Sequence, residues 1–218
     1  SKLALILACR YNPIMHRSVT TPKSLIGVDE AGRGPLAGPV SVGVFAVKSL
    51  ATLKMFKGVK DSKQLSAAQR EEWFGRICVA AKTGKVLYAV SFARPGTIDK
   101  QGLTYAVYSA LNRSLKRIES MDKKLRNVEI RLDGLLHASG RYLNQKTIIG
   151  GDESERVIAL ASICAKVLRD RRMVKAAKEF PGYGFEIHKG YGTKAHYAAI
   201  KKQGLTPIHR RRFLKKMI

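Results

Sequence analysis

Along most of this chain, apolar residues fall either in short continuous runs or at helical spacing, and the breaks fall at glycine, proline or acidic residues. Leu25–Asp29 is a short apolar run, read as a strand, that ends in Asp29, Glu30 and the bend Ala31-Gly32-Arg33-Gly34-Pro35. The valine-rich run Gly38–Val47 reads as a second strand and Lys85–Phe92 as a third. Between them a helix is expected over Ser66–Ala81, with Ser66 as its cap. A helix starting at Thr97 or Asp99 runs through Ile118 and carries Val107, Leu111, Leu115 and Ile118 on one side. Val128–Leu132 is a fourth strand ending at Asp133-Gly134, and Thr147–Ile149 a short fifth ending at Gly150-Gly151-Asp152. An alanine-dense helix over Glu155–Lys178 includes Ile158, Ile163, Val167 and Val174; a helix over Lys194–Lys202 and a basic tail follow.

Consecutive early strands favour antiparallel pairing, and later strands separated by crossovers favour parallel pairing. The expectation is an α/β fold: a five-stranded mixed sheet flanked by helices, with a helical C-terminal part. Residues 1–24 hold no acid and contain Pro13 and Pro22. They read as a loosely ordered N-terminal extension of leader-like composition, ahead of a folded unit over 25–218.

Composition narrows the function. With 45% hydrophobic and 26% charged residues the chain is globular, which excludes a largely disordered basic tail protein. Cys9, Cys78 and Cys164 cannot form a complete disulfide set and lack zinc-site spacing, so they read as reduced thiols in the cytoplasm. The longest apolar run, Leu3–Cys9, is too short to span a bilayer, and no membrane partner is expected. The 41 Lys and Arg against 16 Asp and Glu give a formal net charge of +25. That surplus points to a polyanion, nucleic acid above all, because Lys and Arg gain affinity by releasing phosphate counterions.

The few acids decide whether such a protein also cuts. Asp29-Glu30, Asp133 and Asp152 each close a buried-looking strand, although strands disfavour Asp. If these strands are neighbours, the carboxylates converge and repel one another, and hard oxygen ligands then call for Mg²⁺ or Mn²⁺. Two divalent ions about 4 Å apart activate a water and stabilise the leaving oxygen of a phosphodiester. Adjacent Asp29 and Glu30 point to opposite faces of a regular strand, so the strand must twist or end for both to reach one centre. Gly32 and Gly34 supply that freedom. A non-cleaving nucleic-acid-binding protein and a DNA-directed nuclease of the same fold remain open on these residues.

The run Val28-Asp29-Glu30-Ala31-Gly32-Arg33-Gly34-Pro35-Leu36-Ala37-Gly38-Pro39-Val40 resembles the signature of the ribonuclease HII (type 2 ribonuclease H) family. Asp61-Ser62-Lys63, Leu132-Asp133-Gly134, Gly151-Asp152, Ala161-Ser162-Ile163, Ala165-Lys166-Val167, Arg169-Asp170, Met173 and His188-Lys189-Gly190-Tyr191 continue it in order over roughly residues 25–215. The resemblance implies an RNase H-like fold and a catalytic domain over 25–218. It implies hydrolysis of the RNA strand of RNA–DNA hybrids and incision 5′ to single ribonucleotides embedded in duplex DNA. The ends left would be 3′-hydroxyl and 5′-phosphate, and the enzyme would act as a monomer with Mg²⁺ or Mn²⁺. Asp29, Glu30, Asp133 and Asp152 would be the catalytic, metal-binding acids. Gly32, Arg33 and Gly34 would contact the ribose 2′-hydroxyl side of the scissile step, and Tyr191 would stack on the neighbouring sugar. Ser62, Lys63 and Lys166 would complete the substrate contacts. Glu153 and Glu155 after Asp152, and Gln101-Gly102-Leu103, depart from the family's pattern.

Several residues carry weaker signals. Lys166, Arg169, Arg172, Lys175 and Lys178 recur every three residues and form either a solvated face or a ridge tracking phosphates. Arg210, Arg211, Arg212, Lys215 and Lys216 read either as a grip on duplex backbone or as a flexible basic tail of nonspecific affinity. His188 reads as structural, Trp73 as half-buried, Cys164 as core, and Tyr183 as a loop residue able to pack against Tyr191.

Overall fold

The computed structural model describes residues 24–215. The rest of the expected extension, with Cys9, and Lys216 in the tail lie outside the described residues. The strands are β1 (Leu25–Ala31), β2 (Val40–Val47), β3 (Val86–Ala93), β4 (Glu129–Asp133) and β5 (Gln145–Ile148). The helices are α1 (Ala67–Lys82), α2 (Pro95–Gln101), α3 (Leu103–Met121), α4 (Gly151–Ser154), α5 (Arg156–Glu179), α6 (Phe185–His188) and α7 (Lys194–Gln203).

One mixed sheet runs β3-β2-β1-β4-β5. The first three strands are joined antiparallel, and β1–β4 and β4–β5 are parallel, as the spacing of the strands along the chain predicts. Residues alternate between the two faces of each strand. Ile26 and Val28 of β1 pack into a core with Val107, Leu111, Leu115 and Ile118 of α3. Leu25 faces the opposite layer, where α1 and α5 contribute Phe74, Ile77, Ile158 and Ile163. A smaller core beneath the C-terminal part joins Leu36, Met173, Tyr183, Phe185, Ile200 and Leu214.

Two glycines set how closely α5 sits. A Cβ at Gly27 would lie 2.2 Å from the Val157 carbonyl oxygen, and one at Gly43 would lie 2.3 Å from that of Ala161. The helix backbone therefore rests directly on β1 and β2. Ser66 caps α1 as expected, in a reciprocal box with Gln69: its hydroxyl accepts from the Gln69 amide, and the Gln69 side chain accepts from the Ser66 amide.

Two elements differ from their expected form. The helix expected through Ile118 is two helices, because Gly102 adopts φ 87° and closes α2 before α3 begins. The fifth strand ends at Ile148 and leads into the one-turn helix α4, so Asp152 lies in a helical turn and not at a strand end.

Candidate active site

The acids come together through strand register. Val28 pairs with Leu132 across the parallel β1–β4 ladder, so Asp29 and Asp133 follow side by side at the ends of their strands. The turn after β5 then brings α4 over β4, and the Asp152 amide donates to Asp133 Oδ1 at 3.3 Å. One carboxylate oxygen from each of Asp29, Asp133 and Asp152 lies within 4.8 Å of the others. Glu30 stands outside this trio, on the other face of β1, and its Oε1 accepts from Arg33 Nη1 at 3.3 Å. Its second oxygen is buried with no hydrogen-bond partner.

This clustering opposes ionisation. Burial, followed by repulsion from Glu30, pushes the Asp29 carboxyl well above the usual range, although the Ser162 hydroxyl and the Glu30 amide counteract it. Burial raises Glu30 as well, and Arg33 opposes that shift. Asp61, buried near Asp152, is also raised, chiefly by burial. Lys63 Nζ donates to Asp152 Oδ2 at 2.8 Å, and that bond holds its ammonium above the ordinary lysine range. Three converging carboxylates and an unpartnered Glu30 oxygen make a donor set of hard oxygens that suits a divalent cation such as Mg²⁺ or Mn²⁺, with the Lys63 ammonium as a neighbouring positive charge.

The glycine-rich bend is fixed from below by two buried arginines. Gly32 adopts φ 87°, and a Cβ there would lie 2.0 Å from Arg169 Nε. Arg169 donates from Nε to the Pro39 carbonyl at 2.9 Å, and from Nη2 to those of Ala37 and Lys189 at 3.3 and 3.1 Å. Arg210 donates to the Gly38, Arg33 and Gly32 carbonyls at 2.9, 2.7 and 2.7 Å. Both side chains are fully buried. Burial, then repulsion from Arg169, lowers the Arg210 guanidinium to about 9.

These contacts correct two expectations. Arg169 belongs to neither a solvated face nor a phosphate ridge, and Arg210 is not part of a flexible tail, because each satisfies loop carbonyls that would otherwise be buried unpaired. The signal for Arg169 was present in its spacing. Ala165, Arg169, Met173 and Ala176 fall at apolar helical intervals, and all four are buried.

Tyr191 is half-exposed and faces the bend, its Cε1 being 4.0 Å from where a Cβ on Gly34 would stand. The Lys166 ammonium and the Arg169 guanidinium each lie 5.8 Å from its ring centre. Lys166 itself bonds Asp170 at 2.9 Å. Ser62 lies at the start of the short turn that carries Lys63. It is buried, and its hydroxyl pairs at 2.7 Å with that of Ser162, which in turn bonds Asp29. Tyr183 stacks on Phe185 and donates to the Gly204 carbonyl, in place of the expected packing on Tyr191. Glu155 accepts from Arg131, while Glu153 remains exposed.

The Tyr191 backbone ends a chain of neutral imidazoles. The Thr206 amide donates to His209 Nδ1, leaving His209 Nε2 to donate to His196 Nε2 at 3.1 Å. His196 Nδ1 then donates to the Tyr191 carbonyl at 2.9 Å. Burial, with repulsion from His196, depresses His209 to about 4. Its unfolded value is near 6.5. The unfolded chain therefore binds the proton first, so the stability this group contributes is complete above about pH 6.5 and is lost as pH falls towards 4. NMR of ¹⁵N-labelled protein should show His209 neutral, with its proton on Nε2, at pH 5.5. An imidazolium spectrum at that pH would remove the relay. His188 is likewise structural: Nδ1 accepts from the Gly190 amide and Nε2 donates to the Tyr183 carbonyl.

Comparison with known proteins decides what the arrangement belongs to. The family model described as Ribonuclease HII matches residues 26–216. The chain belongs to the ribonuclease HII family. It is 44% identical over 188 residues to the ribonuclease HII of Endomicrobium trichonymphae, covering 86% of this chain and 83% of that protein. The crystal structure of the ribonuclease H2 from Pyrococcus horikoshii OT3 superposes with a TM-score of 0.63 at 25% identity, over 88% of this chain and 96% of that one. A crystal structure of Bst-RNase HIII in complex with Mn²⁺ has a TM-score of 0.69 at 22% identity, covering 88% of this chain and 68% of that one, and shows the shared fold. The fold is RNase H-like, and the chain is a metal-dependent endoribonuclease, a hydrolase whose family cleaves RNA in RNA–DNA hybrids. No described helix is long and apolar enough to cross a membrane.

Proposed function

We propose that residues 25–218 form one catalytic domain that hydrolyses the RNA strand of RNA–DNA hybrids and also incises 5′ to single ribonucleotides in duplex DNA. Asp29, Glu30, Asp133 and Asp152 would hold two divalent ions, Mg²⁺ or Mn²⁺, which supply an activated water and charge stabilisation at the leaving oxygen. The Ser162 hydroxyl and the Glu30 amide favour the ionised form of Asp29 and oppose part of the effect of its burial. Lys63 holds Asp152 in place. Gly32, Arg33 and Gly34 present backbone and charge to the ribose, and Tyr191 packs on the next sugar. The 2′-hydroxyl is the handle that tells RNA from DNA. The observation that carries this reading is the juxtaposition of a carboxylate trio, two of its members buried, with a bend whose carbonyls two arginines hold from below. We assign the activity to a monomer. The free thiols Cys78 and Cys164 fit a reducing compartment such as the cytoplasm.

A nicking assay on three labelled duplexes tests this: all DNA, DNA with one ribonucleotide, and an RNA–DNA hybrid. Cutting in Mg²⁺ or Mn²⁺ on the 5′ side of the lone ribonucleotide is expected, with the all-DNA duplex spared and EDTA abolishing activity. Hybrid cleavage with an untouched single ribonucleotide would confine the activity to hybrids.

A further inference from the structure

Cations that the carboxylate site does not use gather in one groove. A cavity of about 880 Å³ opens beside the bend between β1 and β2, lined by Gly38 and Met173 together with Arg94, Lys100, Arg172 and Lys175. Its place follows from register. Ser41 pairs with Ala31 on one side and Phe92 on the other, so the end of β3, where Arg94 follows, lies at the same end of the sheet as Asp29. Arg172 stands six residues beyond Lys166 on α5, about 9 Å along the helix axis.

These charges are left unneutralised, and one of them is held in place. The Arg172 guanidinium lies 3.7 Å over the Phe92 ring. The Arg94 carbonyl accepts from the Thr97 and Ile98 amides, which fixes the start of α2. Among the described residues, none of the four cations lies within 4.0 Å of a carboxylate oxygen, although Glu179 also lines the groove. Arg94 and Arg172 also border a second hollow along the outer edge of β3, where Arg113 and Arg117 donate to the Phe92 and Val90 carbonyls. Like charges gathered in one groove repel until an anion joins them, and a track of cations suits a polymer of evenly spaced phosphates.

We propose that this groove grips the phosphate backbone of duplex nucleic acid beside the carboxylate site, as a contact separate from ribose recognition and from cleavage. The proposal rests on the nucleic-acid reading above, and its test avoids both chemistry and the 2′-hydroxyl. Binding is measured on an all-DNA duplex of about 30 base pairs, without divalent metal, across a salt series. The charge-reversed pair Lys100→Glu and Lys175→Glu is compared with Lys82→Glu and Lys85→Glu, exposed lysines at the opposite end of the sheet carrying the same charge change.

The groove pair should lose about tenfold or more in affinity and flatten the slope of log K against log salt by about 2, since each phosphate contact contributes about 0.9. The distant pair should change the slope by less than half as much. The neutral pair Lys100→Gln and Lys175→Gln should give a smaller loss in the same direction, with an unchanged melting temperature. Wild-type affinity and slope in the groove variants, or equal losses in the groove and distant pairs, would overturn the proposal. Because cleavage is not read, either result leaves the hybrid-cleaving activity to be judged by the nicking assay.

Discussion

Asp133→Asn should reduce hydrolysis on the order of 10³-fold or more while hybrid binding persists or tightens. Asn keeps the shape at the end of β4 and removes one negative charge from a trio of oxygens within 4.8 Å. A metal centre supplies several kcal/mol of transition-state stabilisation, and each 1.36 kcal/mol is tenfold in rate. Binding moves the other way because one source of repulsion against phosphate is gone. Asp133 is also one of the charges that push Asp29 upward, so the Asp29 carboxyl should relax towards its ordinary range. Single-turnover rates and fluorescence anisotropy on the same hybrid separate the two effects. A wild-type rate would take Asp133 out of the metal-binding set.

The second large effect is expected far from the reacting atoms. Arg210→Met replaces a fully buried guanidinium with an apolar chain of similar length and leaves the Gly32, Arg33 and Gly38 carbonyls without donors. Hydrogen bonds to a charged group contribute roughly 1.5–3 kcal/mol each, and relief of charge burial offsets part of that. A net loss on the order of 3 kcal/mol would lower the melting temperature of a domain this size by roughly 6–12 °C. The loosened bend should blunt discrimination between a ribonucleotide and a deoxyribonucleotide more than it slows hybrid cleavage. Arg210→Lys keeps a charge but not the planar fork that reaches several carbonyls, so it should recover only part of both properties. Unchanged melting temperature and unchanged selectivity in the Met variant would show that the bend holds itself.

How much could be read from residues alone follows from these side chains. β1, β2 and β3 are apolar runs closed by acid, glycine or a loop, and β2, buried on both faces, is told from a helix by its length and valine content and not by its period. The split at Gly102 was hidden because glycine is tolerated inside a helical pattern, and residue type alone does not reveal a φ of 87°. The fifth strand is a polar edge, with Lys146 and Thr147 exposed, so its apolar signal was carried by Ile149, which the structure leaves 88% exposed outside the strand. Asp29 and Asp133 were legible as acids ending buried strands, whereas the helical turn carrying Asp152 was not. Arg169 and Arg210 were misplaced because arginine defaults to solvent. Their partners are main-chain carbonyls, which leave no trace in residue type.

The close seating of α5 on Gly27 and Gly43 couples two tasks mechanically. The helix presents Ser162 to Asp29, and seven residues on, about 10 Å along its axis, it presents Arg169 to the bend at Gly32. The carboxylate trio and the glycine bend are therefore bolted to one rod, with no hinge between them. The offset between them becomes a constant of the scaffold. A methyl group wedged under the rod at position 27 or 43 would shift both ends at once.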